Sequence, residues 1–420
     1  MLRKILNAKI VLQSAVLLLF FTAASAQNKI SDLDETVILI SVDGFRADYI
    51  EKFQPPVISR LAAEGTRAKW MKPAYPTKTF PNHYTIVTGL YPDNHGIIEN
   101  NMWDDEIAAV FGLSVREQVT NPKWWSGEPI WNTAQRQGKI AASFFWPGSE
   151  AAIKGSHPRY WKPYEHTTAH SIRVRTVLEW IDLPREQRPQ MLTLYFSDVD
   201  DAGHNFGPDS PKTGEAVMKV DASIGDLVSG LRSRGIDEKV NLIIVSDHGM
   251  APYRVGERIV LDKLFDANDA VLVLWNGEFT QIFPKAGRED TIYKTLKKNL
   301  PKGAKVYRKG DLPKRLKFGK NKRIAPIIVA AQIGYGLATT RWAESATKAG
   351  ENDLIRGGHG YDNEAKEMRA IFIGHGGKFK KGYLAEPIES VDVYGLMCRI
   401  LEIQPAKNDG KFKRVRKMLK

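Results

Sequence analysis

The chain has 420 residues, of which 43% are hydrophobic and 26% charged, and its formal net charge is +13. That much apolar material over that length excludes a disordered or fibrous protein and provides core for one large domain or two modest ones. The single cysteine, Cys398, excludes an intramolecular disulfide framework, and no nucleic-acid-binding motif accompanies the basic balance.

Residues 1–26 read as a signal peptide. Arg3, Lys4 and Lys9 form a basic start, Ile10 to Phe21 is apolar, and Ala24-Ser25-Ala26 precedes a cleavage point at Gln27. Removing those three basic residues leaves +10. No later segment is apolar enough over enough residues to span a membrane, and no obligate protein partner is evident. An exported chain with no disulfide and no Asn-x-Ser/Thr acceptor is expected to be bacterial and periplasmic, or secreted.

Thr36 to Ser41 is a continuous β-branched, apolar run that ends at Val42-Asp43-Gly44. A strand buried on both faces has this pattern. The signature recurs at Ile140 to Phe145, Met191 to Phe196, Val240 to Val245 and Ala370 to Ile373. Helical patterns lie between them, at Ile172 to Ile181 and Thr213 to Arg232. Strands alternating with helices predict an α/β fold with its sheet covered on both faces. From about 259 to 340 the texture changes. Short strand-like runs flank a helix at Arg288 to Asn299, which predicts an inserted α+β subdomain. Two stretches, Lys314 to Arg323 and Lys411 to Lys420, carry much of the positive charge, and the second is read as a basic C-terminal tail.

Ligands of such sheets bind beyond the carboxyl ends of the strands. Asp43 and the pair Asp247-His248 lie just past two of these ends, and Asp200 and His204 follow a third. Asp200 and His204 are four apart, so one helical turn brings both to one face; Asp201, three from His204, is equally allowed by spacing. His359, in Gly357-Gly358-His359-Gly360, sits on a flexible loop. This mixed set of carboxylates and imidazoles fits Zn²⁺, with Mn²⁺ or Co²⁺ as substitutes. The stretch Thr77 to Pro92 is rich in hydroxyls and punctuated by Pro81 and Gly89. It predicts a short buried helix from about Tyr84 to Leu90, with Thr79 at a loop-to-helix junction, a seat for a nucleophile facing an anion.

Several segments together resemble the nucleotide pyrophosphatase/phosphodiesterase family of the alkaline phosphatase superfamily. They include Ser41 to Arg46, Pro76 to Pro92, Gly127 to Trp131, Phe144 to Gly148, Gly203-His204, Ser246 to Met250 and His359-Gly360. With the export reading above, the chain is expected to be a bacterial, catalytic-domain-only member, and the resemblance implies a central mixed, mostly parallel sheet between helices, spanning residues 27–410. It implies two Zn²⁺ per chain, one held by Asp43, Thr79, Asp247 and His248, the other by Asp200, His204 and His359. It makes Thr79 the nucleophile, through a phosphothreonine intermediate, and Asn100 a hydrogen-bond donor to the phosphoryl group. Phe80, Leu113, Trp146 and Tyr164 match positions lining a base pocket, with Phe80 and Tyr164 on either side of the base. Gln118 falls where nucleotide-preferring animal members carry a Lys. The expected activity is hydrolysis of nucleoside 5′-phosphodiester and pyrophosphate bonds, such as ATP to AMP and pyrophosphate. Rival readings are a phospholipid- or glycerophosphodiester-directed phosphodiesterase with the same metal site, and an inactive binding protein.

Overall fold

The structure, a computed structural model, describes residues 29–420, so the expected signal peptide lies outside the described residues. The organising element is an eight-stranded sheet. Its strands are β1 (Val37–Val42), β2 (Thr66–Ala68), β3 (Ala141–Phe144), β4 (Tyr160–Lys162), β5 (Met191–Phe196), β6 (Asn241–Val245), β7 (Phe372–His375) and β8 (Tyr383–Ala385). The spatial order is β8-β2-β7-β6-β1-β5-β3-β4. The strands from β6 to β4 run parallel, whereas β7 is antiparallel to both β6 and β2.

β1 is central and every residue in it is fully buried. Its alternate side chains feed two cores, as a strand covered on both faces requires. Val37 and Leu39 join one cluster with Tyr84, Ile86 and Val87 of α1 (Thr79–Thr88). Ile38, Ile40 and Val42 join the other, with residues of α2 (His170–Ile181) and α4 (Pro211–Ser233); α3 (Asp198–Phe206) lies between those helices in the chain. Along α4 the buried positions Val217, Val220, Ile224, Leu227 and Leu231 recur every three or four residues, and each contributes roughly 1.5–3 kcal/mol of burial. α1 starts at Thr79, the expected loop-to-helix junction, five residues ahead of the apolar pattern that begins at Tyr84. Pro81 is no obstacle there, because its missing N–H falls among the first-turn donors that lack an intrahelical partner anyway.

A second, four-stranded sheet is built from Ala270–Leu274, Phe279–Pro284, Ala304–Arg308 and Ile327–Ala331. The helix Glu289–Asn299 covers it with Ile292 and Leu296, over Ile282, Ile327 and Val329. Near the C-terminus, Val415 and Met418 are fully buried, so the basic stretch that carries them is packed onto the fold. Among the described residues no helix is long and apolar enough to cross a membrane.

Candidate functional site

The carboxyl ends of β1, β5 and β6 deliver the acidic residues. Asp43 follows β1, Asp247 and His248 follow β6, and Asp200 stands in the first turn of α3, just past β5. Gly44 lets the chain turn here: its φ is +67°, and a Cβ would lie 3.0 Å from the Cα of Asp200. Its N–H donates to Asp247 Oδ1 (3.1 Å), and Tyr195 O–H donates to Asp43 Oδ2 (2.7 Å). On α3, Asp200 and His204 share a face, with Oδ2 to Nε2 at 3.3 Å. Asp201 lies 3.6 Å from His166 and lines the cavity beside Thr79.

Three imidazoles converge with the same orientation. His204 Nδ1–H donates to Gly357 O, His248 Nδ1–H to Gly249 O and His359 Nδ1–H to Thr77 O. Using Nδ1–H in this way leaves each Nε2 as a lone pair facing the cluster. His248 Nε2 is 2.9 Å from Asp247 Oδ2 and 3.7 Å from Asp43 Oδ1. His359 Nε2 is 3.6 Å from Asp200 Oδ1 and 3.1 Å from His204 Nε2. These two nitrogens, 3.1 Å apart, need a proton or a cation between them. Asp43 Oδ1, Asp200 Oδ1, Asp247 Oδ2 and His248 Nε2 are all buried without a hydrogen-bond partner. Unpaired buried acceptors are costly, and together they form the donor set a divalent cation would satisfy. The residues fit two such ions. Ligating atoms of Asp200, His248 and His359 lie within 4.8 Å of one another, and so do those of Asp43, His83 and Asp247. The short distance from His248 to Asp247 makes the two groups adjoin.

His83, in the second group, was not singled out by sequence reasoning. Its Nδ1 bonds Thr79 O (2.9 Å) and its Nε2 meets Ser41 Oγ (2.8 Å). With both nitrogens engaged, His83 supports the ligands rather than joining them. The electrostatics of the cluster favour added positive charge. Burial, then the Asp247 and Asp200 carboxylates, push Asp43 well above the usual carboxylate range. Burial opposes ionisation of Asp247 too, but His248 and His83 hold it below that range.

Thr79 is the first residue of α1. The Phe80 N–H donates to Asn100 Oδ1 (3.0 Å), which fixes the amide and leaves Asn100 Nδ2 without an intramolecular partner among the described hydrogen bonds. Just ahead of Thr79, Lys78 Nζ meets Glu278 Oε2 at 2.6 Å, and both side chains are 9% exposed. This buried pair ties α1 to the second sheet.

Asp43, Thr79 and Asp200 open onto a cavity of about 220 Å³, which Phe80, Leu113, Trp146 and Tyr164 also line. All four expected pocket residues therefore reach the same space as Thr79. Trp146 is buried and donates to His83 O, whereas Leu113 and Tyr164 are exposed on the rim. Phe145 in the wall has φ +60°, a strained conformation for a bulky residue, and its ring packs on Tyr164 at 5.1 Å between centroids. Gln118 does not line the cavity; it accepts a bond from Trp124 Nε1. The polar groups at the wall include Arg116 and Glu150, paired through both terminal guanidinium nitrogens. Their partnership spans 34 residues and leaves no local pattern in sequence.

Residues 37–362 match the family described as Type I phosphodiesterase / nucleotide pyrophosphatase. The chain is 39% identical over 394 residues to ectonucleotide pyrophosphatase/phosphodiesterase family member 3 of Rattus norvegicus, covering 91% of this chain and 44% of that protein. It is 41% identical over 384 residues to the venom phosphodiesterase of Macrovipera lebetinus, covering 89% and 44%. The chain thus spans under half the length of these curated relatives. Murine ectonucleotide pyrophosphatase/phosphodiesterase 5 superposes with a TM-score of 0.85 at 33% identity, over 92% of this chain and 100% of that one. An inactive threonine-to-alanine variant of that murine protein has been solved in complex with AMP.

These relatives correct two expectations. The bacterial, catalytic-domain-only assignment and the periplasmic location give way to a likeness with vertebrate members 3 and 5, named as ecto-enzymes, and with venom enzymes. The expectation rested on missing disulfides and glycosylation acceptors. A core of this size stands without covalent cross-links, so their absence reports on stability and not on source.

Proposed function

The chain belongs to the type I phosphodiesterase/nucleotide pyrophosphatase family, and on that premise we propose that it hydrolyses nucleoside 5′-phosphodiester and pyrophosphate bonds, ATP to AMP and pyrophosphate among them. The observation that carries this reading is one cavity in which Thr79 adjoins unpaired carboxylates on one side and apolar and aromatic walls on the other. A phosphoryl group needs the first and a nucleobase the second. The AMP complex of the murine relative supports the same pairing.

Asp43, Thr79, Asp247 and His248 would hold one Zn²⁺, and Asp200, His204 and His359 the other. Bound there, zinc supplies Lewis acidity that favours the ionised hydroxyl and offsets charge on the phosphoryl oxygens. Thr79 Oγ1 attacks phosphorus in line with the departing oxygen, giving a phosphothreonine ester that water then cleaves. Asn100 Nδ2 donates to a non-bridging oxygen, its amide held by the Phe80 N–H. Tyr195 orients Asp43, and His83 orients Asp247 and the start of α1. Phe80, Leu113, Trp146 and Tyr164 take the base by stacking and apolar contact, and Arg116 with Glu150 faces its polar edge. The segment 259–340 acts as an inserted subdomain that braces Lys78, and with it the residue before the nucleophile, through Glu278.

A rate panel of ATP, a thymidine 5′-phosphodiester and glycerophosphocholine tests the assignment. The nucleotides should turn over at least tenfold more efficiently. Faster turnover of glycerophosphocholine than of ATP would reject the nucleotide slot.

A further inference from the structure

The two basic stretches of the sequence, Lys314 to Arg323 and Lys411 onward, lie about ninety residues apart in the chain, and the fold brings them to one place. They face each other across a cleft of about 830 Å³, together with Lys72 and the loop that follows α1. That loop begins at the C-terminal end of α1, so the cleft is separated from Thr79 by a helix of ten residues, or about 15 Å. It shares no lining residue with the cavity at Thr79.

Its charge is one-sided. Lys72, Lys309, Lys314, Lys317, Lys320 and Lys411 all line it, and none has an ion-pair partner among the described residues. The carboxylates in the wall are already used. Asp93 accepts the backbone N–H groups of Gly319, Lys320 and Asn321, Asp409 accepts from Tyr91 and Asn94, and Glu389 pairs with Arg414. Burial draws the Lys309 ammonium below its ordinary range despite Asp93 nearby. Six lysines and two arginines against three carboxylates leave the cleft with an excess of positive charge, which favours an entering polyanion.

The lining also narrows the chemistry. Both arginines are already ion-paired, Arg315 with Asp362 and Arg414 with Glu389 and Asp392, so neither brings uncompensated charge to a phosphate. The one nest of backbone N–H groups is filled by Asp93. The Phe318 ring is buried, and Tyr91, the other aromatic residue in the wall, is only partly exposed with its hydroxyl bound to Glu389, so little ring face is open to a base. What remains is a ring of flexible point charges, which suits a chain bearing a weakly demanding anion on each unit. We propose that this cleft is a binding site for a linear sulfated polysaccharide, separate from the site at Thr79.

Binding of a heparin-derived octasaccharide, measured by calorimetry between 50 and 200 mM salt, tests this. The wild type should bind with an affinity that falls steeply and log-linearly with salt, as counter-ions are released. The triple variant Lys314→Glu, Lys317→Glu, Lys411→Glu should bind at least tenfold more weakly. A control with the same charge change on a different surface, Lys297→Glu, Lys298→Glu, Lys302→Glu, should stay within threefold of wild type. Turnover of a thymidine phosphodiester should be unchanged in both and reports intact folding. If the reversals unfold the chain, the Lys→Gln set at the same three positions carries the test, with a loss of threefold or more expected. Equal loss in the control, no loss in the triple variant, or equally tight binding of an oligothymidylate or polyphosphate of matched charge overturns the proposal.

Discussion

Replacing Glu278 with Gln tests how the second sheet is tied to the helix that begins at Thr79. Lys78 Nζ lies 2.6 Å from Glu278 Oε2, and each side chain is 9% exposed. The substitution keeps the shape and removes the negative charge, so the Lys78 ammonium is left buried against a neutral amide. Removing one partner of a buried pair costs about 3–5 kcal/mol. Glu99 offers partial relief, since its carboxyl, pushed up by burial to about 7, also feels Lys78. A loss of about 3–4 kcal/mol is therefore expected in a urea titration at pH 8. With an unfolding entropy of roughly 2.1 cal/mol/K per residue over roughly 390 residues, that loss lowers Tm by about 4–5 °C. The double variant Lys78→Met, Glu278→Leu should recover most of it, because an apolar pair has no charge to desolvate. A loss below about 1 kcal/mol for Glu278→Gln, or a double variant less stable than the single one, would refute the claim that this pair braces α1.

His95 gives an acid-stability prediction. It is fully buried and neutral, its Nδ1 accepting from the Ile97 N–H and its Nε2–H donating to Thr85 Oγ1, and burial lowers its pKa to about 3. The unfolded chain binds the proton near the ordinary value and the folded chain does not, so this stability is present above pH 6.5 and is lost as pH falls towards 3. The loss by pH 5 is about 2 kcal/mol, and His95→Gln should flatten that part of the pH profile; an unchanged slope contradicts the assignment. At the metal ligands, Asp247→Asn or His359→Ala should lower the zinc content found by elemental mass spectrometry and abolish turnover, and full activity after exhaustive chelation would contradict the metal site. In the pocket, Tyr164→Ala should lower kcat/KM on nucleotides by about 5- to 150-fold, the range a lost stacking contact allows. Arg116→Gln should change the ratio of kcat/KM between purine and pyrimidine substrates, and an unaltered ratio would show that the Arg116–Glu150 pair does not read the base edge.

The sheet was legible because its strands are buried on both faces. A strand such as Val37–Val42 prints as an unbroken apolar run, and the first polar residue after it, Asp43, marks the edge where ligands bind. The same logic placed Asp247 and His248. Spacing alone left Asp200 and Asp201 open, since both can share a face with His204, and only the fold turns Asp200 inward. The junction at Thr79 was legible, whereas the apolar pattern by itself reaches back only to Tyr84, because the first turn around Pro81 carries no helical periodicity. Pairings between distant segments were beyond reach. Arg116 with Glu150, Lys78 with Glu278, and the supporting role of His83 depend on contacts that no local pattern encodes. Gln118, at the position where nucleotide-preferring animal members carry a Lys, has its side chain taken up by Trp124 and does not line the cavity.

The central claim is that Thr79 is the nucleophile of a nucleoside phosphodiesterase. Rapid acid quenching during turnover of a thymidine 5′-phosphodiester, followed by peptide mass spectrometry, tests it most directly. A thymidylyl adduct should appear on Thr79, at a level that rises and decays with turnover, and Thr79→Ala should abolish both adduct and hydrolysis while zinc content stays near that of the wild type. An adduct on another residue, or hydrolysis by Thr79→Ala at the wild-type rate, would contradict it.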